Sequence, residues 1–110
     1  MVWYQGNTVK FHINGGVRAT ASVSLTADVW YCVTCTYDGA TAKVYLNETL
    51  DTSGSYGGSA NAAGTPFYIG RYGYPNREVG GDFGIVKAYN RALSADEIRQ
   101  NYEAAVGRYI

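Results

Sequence analysis

The sequence predicts an all-β fold, an antiparallel β-sandwich with one short C-terminal helix. Three observations lead to this prediction. Several short segments alternate apolar and polar residues, which is the period of a half-buried strand. Glycine-rich turn sequences, such as Asn14–Gly16, separate these segments. A single helix signal occurs near the C-terminus, so one helix is expected beside an otherwise strand-rich chain.

Seven segments carry the strand pattern, and the turns between them are typical of a β-sandwich or jelly roll. The segments in the first quarter of the chain are expected to form a β-meander. Two stretches are predicted to be long loops. Thr52–Thr65 consists mainly of small and polar residues, and Arg71–Gly81 is rich in Tyr, Gly, Asn and Arg. The predicted strands are 2–5, 9–13, 17–24, 30–37, 43–47, 66–70 and 82–89.

Alternation also predicts which side chains face the core. Val17 and Val23 are expected to face inward, together with the two alanines that alternate between them. Farther along the chain, Val44 is expected to face inward and Tyr45 to face away from the core. Tyr45 and Tyr68 would then belong to an exposed aromatic patch.

The C-terminal helix is predicted from the sequence at its start. Ser94 and Glu97 have the spacing of a capping box, in which each side chain bonds the backbone N–H of the other residue. The helix is expected to run from Ala95 to about Ala105. Gly107 follows directly and is predicted to stop the helix, because glycine is the usual residue after a helix C-terminus.

The bulk composition excludes several classes of function. Nine basic and nine acidic residues cancel, whereas proteins that bind nucleic acids or anionic membranes usually carry a basic surface. No apolar run approaches the ~20 residues of a membrane-spanning helix. We therefore expect one domain over residues 1–110, with no nucleic-acid partner and no membrane insertion. No leader peptide is recognised, so removal of a leader or another export route stays open.

The two cysteines and the single histidine are expected to be structural. Cys32 and Cys35 form a C-x-x-C motif, but they lie in a strand pattern, where residues three apart point to opposite faces. They are therefore not expected to form a disulfide with each other or to share a zinc ion. His12 has no second candidate ligand at a metal-binding spacing, so no metal site is predicted.

Four segments, in this order, resemble the concanavalin A-like, laminin-G-like jelly-roll domains. They are WYCVTCTYDG at Trp30–Gly39, KVYLNE at Lys43–Glu48, FYIGRYG at Phe67–Gly73 and GDFGIVKAYNRALSADEI at Gly81–Ile98. The last segment is the most specific, and together they cover about the last 80 residues of the sequence. Such domains occur in lectins, adhesins, extracellular enzymes and structural proteins of phages and viruses, so the resemblance implies a jelly roll and an extracellular or virion-surface location.

The sequence departs from the pattern of these domains in three places. Asn47-Glu48 stands where Asn-Gly is usual, and an acidic residue is more usual near Ile85. Only residues 1–24 precede the Trp-led strand, where such domains normally have several strands. The N-terminal strands are thus expected to be shortened or missing. A minimal domain, a fragment of a longer chain, and strands supplied by a neighbouring subunit all remain open.

An enzymatic function is not expected. The sequence has no G-x-S-x-G, no H-E-x-x-H and no Walker-type glycine loop. Some folds of the resembling class are glycoside hydrolases, which need two carboxylates about 5–10 Å apart. Their acids usually lie on one strand, and no strand of this chain carries such a pair. Glycoside hydrolysis is retained only as a minor alternative.

A non-catalytic binding or adhesion module is therefore predicted, with a carbohydrate or another surface ligand as partner. Aromatic rings stack on sugar faces, while Asn and Arg side chains bond hydroxyls. A calcium ion at the rim remains possible from the resemblance, but no calcium-loop motif is present. The candidate binding residues are Tyr45, Tyr56, Asn61, Tyr68, Arg71, Tyr72, Tyr74, Asn76 and Arg77.

The alternative is a purely structural subunit without a ligand, such as a virion decoration or fibre protein. Either role fits a part of a larger extracellular or virion assembly. A homo-oligomer is expected in both cases, because association would cover apolar strand edges.

Overall fold

The computed structural model of the protein describes residues 2–5, 8–14, 16–58 and 80–109. Six strands and one helix lie within these ranges, and they form two sheets and one helical layer. The elements are β1 (Val2–Gln5), β2 (Thr8–Ile13), β3 (Gly16–Thr20), β4 (Val33–Tyr37), β5 (Thr41–Leu46), β6 (Thr49–Ser55) and α1 (Ala95–Tyr109).

The strands form two antiparallel three-stranded sheets, which confirms the predicted β-sandwich with a C-terminal helix. Strand order follows chain order in both sheets, β1-β2-β3 in the first and β4-β5-β6 in the second. Each sheet is thus a meander of hairpins, as expected for the first quarter of the chain. Short connections suffice, because neighbouring antiparallel strands can be joined by tight turns.

The main core lies between the two sheets. β2 contributes Val9 and Ile13, and β5 contributes Ala42 and Val44 from the opposite side. Val44 is fully buried, with 0% of its surface exposed. The inward direction that alternation predicts for Val44 is confirmed. Burial of this apolar surface stabilises the sandwich by roughly 25 cal/mol per Å² removed from water.

A second, smaller core lies on the outer face of the second sheet, under α1. It consists of Tyr45, Leu93 and Ile98, and Tyr45 is only 5% exposed. The prediction of an exposed Tyr45 is therefore wrong. The side chain does point away from Val44, as alternation requires, but the segment before α1 and the helix itself cover that face of the sheet.

The predicted capping box is present at the start of α1. The Glu97 N–H donates to Ser94 Oγ at 3.2 Å, and the Ser94 N–H donates to Glu97 Oε1 at 3.0 Å. The helix continues to Tyr109, so the predicted stop at Gly107 is wrong. Gly107 lies inside the last turns of the helix, and its φ is not in the left-handed region that a glycine at a helix stop adopts.

The pairing of β2 with β3 contains a β-bulge, which changes the alternation predicted for β3. Phe11 pairs with Ala19 and His12 pairs with Val17, so Arg18 has no partner across the ladder. Because one extra residue shifts the faces of the strand, Val17 is 47% exposed instead of buried. Val23 is also exposed, and it lies beyond the end of β3, where no ladder imposes alternation.

The second sheet extends farther than the sequence predicts. Residues Thr52–Ser55 belong to a predicted loop, but they form the second half of β6 and pair with β5. Small polar residues have low strand propensity, and the ladder with β5 overrides it here. β4 begins at Val33, three residues after the predicted start at Trp30.

The predicted strand 82–89 is wrong, since these residues form neither a strand nor a helix. All eight residues are exposed, among them Phe83, Ile85 and Tyr89. Alternation alone does not make a strand, because a strand needs a neighbour that accepts its backbone hydrogen bonds. The predicted strand 66–70 and most of the two predicted loops lie outside the described residues.

Candidate functional site

Polar and aromatic side chains converge at one end of the sandwich, in a group that we call the Tyr56 cluster. It consists of Asn14, Arg18, Tyr37, Tyr56 and Gly58. Asn14 follows β2, Tyr37 ends β4, and Tyr56 and Gly58 follow β6, while Arg18 is the bulged residue of β3. The cluster thus draws on both sheets, at the point where the chain leaves β6.

Tyr56 is the centre of the cluster. The Arg18 guanidinium carbon lies over its ring, 3.9 Å from the ring centroid, and the Tyr37 ring packs beside it at a centroid distance of 5.7 Å. Asn14 Nδ2 donates a hydrogen bond of 2.8 Å to the Tyr56 hydroxyl. The ring is half-buried against the main core, so its position is fixed by packing as well as by polar contacts.

Tyr37 holds the backbone that follows β6. Its hydroxyl accepts the Gly58 N–H at 3.1 Å and lies 3.1 Å from the Tyr56 carbonyl oxygen, to which it can donate. The same hydroxyl also contacts the Gly58 carbonyl oxygen. The residues from Tyr56 to Gly58 are therefore tied to the end of β4, although they form no regular secondary structure.

Arg18 is held in one position by several contacts. Its Nε donates to the Ile13 carbonyl oxygen at 3.2 Å, while its planar group lies on the Tyr56 ring. The guanidinium also covers Gly16: a Cβ atom on that residue would lie 2.9 Å from the guanidinium carbon. Glycine at this position thus leaves the space that the arginine occupies.

The structure describes two of the predicted binding residues. Tyr56 lies in the cluster, with Arg18 on one face of its ring; Tyr45 is buried under α1 and lies outside any exposed site. The role of Tyr56 in ligand binding stays a prediction. The predicted residues outside the described part of the chain are Asn61, Tyr68, Arg71, Tyr72, Tyr74, Asn76 and Arg77.

Four members of the cluster are not among the residues that the sequence predicts for binding: Asn14, Arg18, Tyr37 and Gly58. The sequence pattern indicates a turn at Asn14, and the structure has this turn. The contacts of Asn14 and Tyr37 with Tyr56 come in addition. For Arg18, alternation indicates only an outward direction. No sequence signal marks the bulge that places it over Tyr56, except the glycine at position 16.

A second feature is an apolar cavity of about 690 Å³ between β4, residues 82–89 and α1. Trp30 and Tyr109 stack at its wall, with ring centroids 4.7 Å apart. Phe83, which lines it, is 54% exposed. Contiguous exposed apolar residues on a protein surface are typical of faces that contact other molecules.

Several carboxylates of the described residues are engaged in local structure. Asp51 on β6 accepts two bonds from Ser22, one from its N–H at 2.6 Å and one from its hydroxyl at 3.0 Å. Asp38 accepts the N–H groups of Thr41 and Ala40, which lowers the pKa of its carboxyl. Asp38 therefore stabilises the turn between β4 and β5.

The described residues offer neither a metal-binding cluster nor a membrane-spanning helix. They contain no group of three or more His, Cys, Asp or Glu side chains that could hold a metal ion. No helix among them is long and apolar enough to cross a membrane.

Both cysteines are free thiols. Cys35 packs against the main core, and its burial raises the pKa of its thiol to about 12. A thiol with so high a pKa is inert as a nucleophile at neutral pH. The backbone N–H of Cys32 donates to Asn47 Oδ1 at 3.1 Å, a bond that lies just beyond the Val33–Leu46 end of the β4–β5 ladder.

Comparisons with known proteins agree with this architecture. A laminin-G family model, described as the concanavalin A-like lectin/glucanases superfamily, matches residues 1–99. No curated protein sequence matches the chain. A crystal structure of an S-layer domain-containing protein from Clostridium thermocellum is similar, with a TM-score of 0.59 and 24% sequence identity. The match covers 86% of this chain and 50% of that one, so this chain spans about half the length of the similar structure.

Proposed function

The chain belongs to the concanavalin A-like lectin/glucanase superfamily, and we propose that it is a non-catalytic binding module that recognises carbohydrate. Its proposed setting is a larger assembly on a cell or virion surface. The superfamily contains both sugar-binding and sugar-cleaving proteins, as its description states, so the choice between them depends on the residues of this chain.

The observation that carries the proposal is the Tyr56 cluster. Sugar sites combine an aromatic surface with hydrogen-bonding groups in fixed positions. Here two tyrosine rings, one amide and one guanidinium meet at one end of the sandwich. The chain continues from Gly58 into the segment whose sequence contains the other candidate residues, so a site formed jointly by the cluster and that segment is proposed.

The non-catalytic part of the proposal rests on the carboxylates. Glycoside hydrolysis needs one acid as proton donor and a second acid as nucleophile or base. Asp38, Asp51 and Glu97 each accept hydrogen bonds that form a turn, join the two sheets or cap the helix. Carboxylates with these structural roles are poorly suited to act as a catalytic pair.

The family and the similar structure support the proposed location. The description of that structure names an S-layer domain-containing protein. We propose a comparable surface location for this chain, on a cell or a virion, with association into a homo-oligomer or with a longer chain.

A glycan array tests the proposal directly. The wild-type protein, at high concentration, is expected to bind a restricted set of glycans. Tyr72→Ala and Tyr74→Ala should each abolish those signals, because loss of a stacking ring removes apolar contact with the sugar. Tyr89→Ala is the matched control, since Tyr89 is exposed beside α1 and away from the cluster. The absence of any glycan signal from a folded wild-type protein would refute the proposal.

The second candidate function is a structural subunit without a ligand. The exposed apolar residues beside the cavity, such as Phe83 and Ile85, favour it, because a neighbouring subunit would bury them. A mass measurement in solution that shows a stable oligomer, together with an empty glycan array, would select this candidate over carbohydrate binding.

A further inference from the structure

We infer that Arg18 is a charged element of the site and that it binds the carboxylate of an acidic sugar. The inference rests on the proposed function and names the class of carbohydrate that this site would take. It comes from the position of one side chain, which is fixed in place while the two terminal nitrogens of its guanidinium have no partner among the described residues.

The backbone conformation of β3 directs the Arg18 side chain toward the cluster. Arg18 is the extra residue of a β-bulge, and bulges commonly redirect a side chain at the edge of a sheet. The guanidinium then lies close to Gly16 and over the Tyr56 ring, and Nε donates to the Ile13 carbonyl oxygen. Because the group is held by the ring and at Nε, a ligand would not have to order it on binding.

The charge of Arg18 is not neutralised by any carboxylate in the described part of the chain. There, arginine–carboxylate pairs are formed by Arg91 with Glu97 and by Arg99 with Asp96, whereas Arg18 has none. The hydrogen bond from Nε is the one that the structure records for its guanidinium. The positive charge of Arg18 is thus available to a ligand of opposite charge.

The geometry suits the two oxygens of a carboxylate, as it would also suit those of a sulfate or phosphate group. The terminal nitrogens of arginine form a planar fork that matches the two oxygens of a carboxylate. The neighbouring tyrosine rings and the Asn14 amide are groups that suit the ring and hydroxyls of a sugar. Together these features favour an acidic sugar, such as a uronic acid, over a free anion or an acidic peptide.

Titration with a pair of matched oligosaccharides tests this inference. The probes are oligogalacturonate and the same oligosaccharide with its carboxylates methyl-esterified, next to a wider panel of sialylated and sulfated glycans. The wild type should bind the free acid and lose most affinity for the ester. Arg18→Gln should weaken binding of the acid by about tenfold or more, since it removes a charge-assisted pair. Arg18→Lys should restore only part of that loss, because an ammonium lacks the planar fork.

Gly16→Ala is a second variant that leaves the arginine in the sequence. Its new Cβ would displace the end of the Arg18 side chain, so acid binding should fall while the net charge is unchanged. Melting curves of all three variants show whether they fold. Reduced acid binding by Gly16→Ala with an unchanged melting temperature would support a fixed position for Arg18 over a purely electrostatic attraction.

The other outcomes would overturn the inference. Equal binding of acid and ester, or no effect of Arg18→Gln, would leave the proposed carbohydrate function intact but remove the acidic sugar. Preference for sulfated glycans would mean that Arg18 binds a sulfate and not a carboxylate. Equal binding of poly-glutamate, as a further probe, would mean that the ligand need not be a sugar. Binding of no glycan of any kind would refute both the inference and the proposed function.

Discussion

The Glu97 carboxylate connects the start of α1 with the segment that precedes the helix. It accepts hydrogen bonds from both terminal nitrogens of Arg91, at 2.8 and 2.5 Å, and from the Ser94 N–H at 3.0 Å. The bonds from Arg91 and then from Ser94 lower the pKa of Glu97 from 4.5 to about 2. Protonation of this one group therefore weakens both the helix cap and the attachment of the preceding segment.

The lowered pKa predicts a pH-dependent contribution to stability. A carboxyl with a lower pKa in the folded state stabilises the fold above its unfolded value of about 4.5, and this contribution disappears as the pH falls to about 2. Glu97→Gln keeps an oxygen for the cap but cannot carry the charge. The variant should melt below the wild type at pH 7, and the difference should vanish near pH 2.

Melting curves recorded between pH 7 and pH 2 measure this difference. Glu103→Gln, at an exposed position of the same helix, is the control for removal of a negative charge, and its difference from the wild type should change less with pH. A Glu97→Gln difference that stayed constant over the whole pH range would contradict the assigned role of the carboxylate.

At the scale of elements, the end of α1 differs from what its sequence suggests. Glycine is the usual residue after a helix, but Gly107 lies inside α1, without a positive φ and with open space where a Cβ would lie. Gly39 is a different case, since its φ of 95° lies in the left-handed region. The same substitution is therefore expected to have opposite effects at the two glycines.

Gly107→Ala should stabilise the protein by roughly 0.5–1 kcal/mol, because alanine is the better helix former and meets no obstacle. Gly39→Ala should destabilise it by about 1–2 kcal/mol, because a Cβ is strained at positive φ. Urea denaturation of both variants measures these changes. If Gly107→Ala destabilised the protein, α1 would end at Gly107 as the sequence suggests.

The start of α1 is predicted correctly because it depends only on neighbouring residues. The capping box is complete within four residues, so Ser94 and Glu97 define the start of α1 without any tertiary contact. β6 and the segment 82–89 are different, because a strand depends on its partner. Thr52–Ser55 has a weak pattern but a neighbour in β5, whereas 82–89 has a strong pattern and no ladder.

The candidate site is predictable from the sequence only in part, for a related reason. Tyr56 is a candidate because a tyrosine in a polar segment suits a binding surface. Arg18 is not, because alternation cannot locate a bulge, and the bulge decides where its guanidinium lies. The prediction for Tyr45 is wrong because alternation gives the side of a sheet but not what covers it. The contacts of Arg18 with Tyr56, and of Tyr45 with Leu93 and Ile98, join residues far apart in the sequence.

For the whole molecule, the two sheets approach each other closely where β3 meets β6. A Cβ on Gly54 of β6 would collide with the Arg18 carbonyl oxygen of β3. Close by in the chain, Asp51 of β6 binds the backbone and hydroxyl of Ser22, just after β3. Glycine at position 54 thus permits a close approach of two backbones, and the Asp51–Ser22 bonds connect the sheets at the same strands.

Gly54→Ala should therefore open the sandwich at this margin. The obstacle is a backbone atom, which cannot rotate away as a side chain does, so we expect a destabilisation of about 1–3 kcal/mol or more. Gly57→Ala is the matched control: a Cβ on Gly57 would have no atom within 4 Å, and its effect should stay within about 0.5 kcal/mol. Urea denaturation compares the two variants, and glycan binding gives a second measurement, because Arg18 belongs to both the contact and the proposed site. A Gly54→Ala protein as stable as Gly57→Ala would mean that β3 and β6 do not approach this closely.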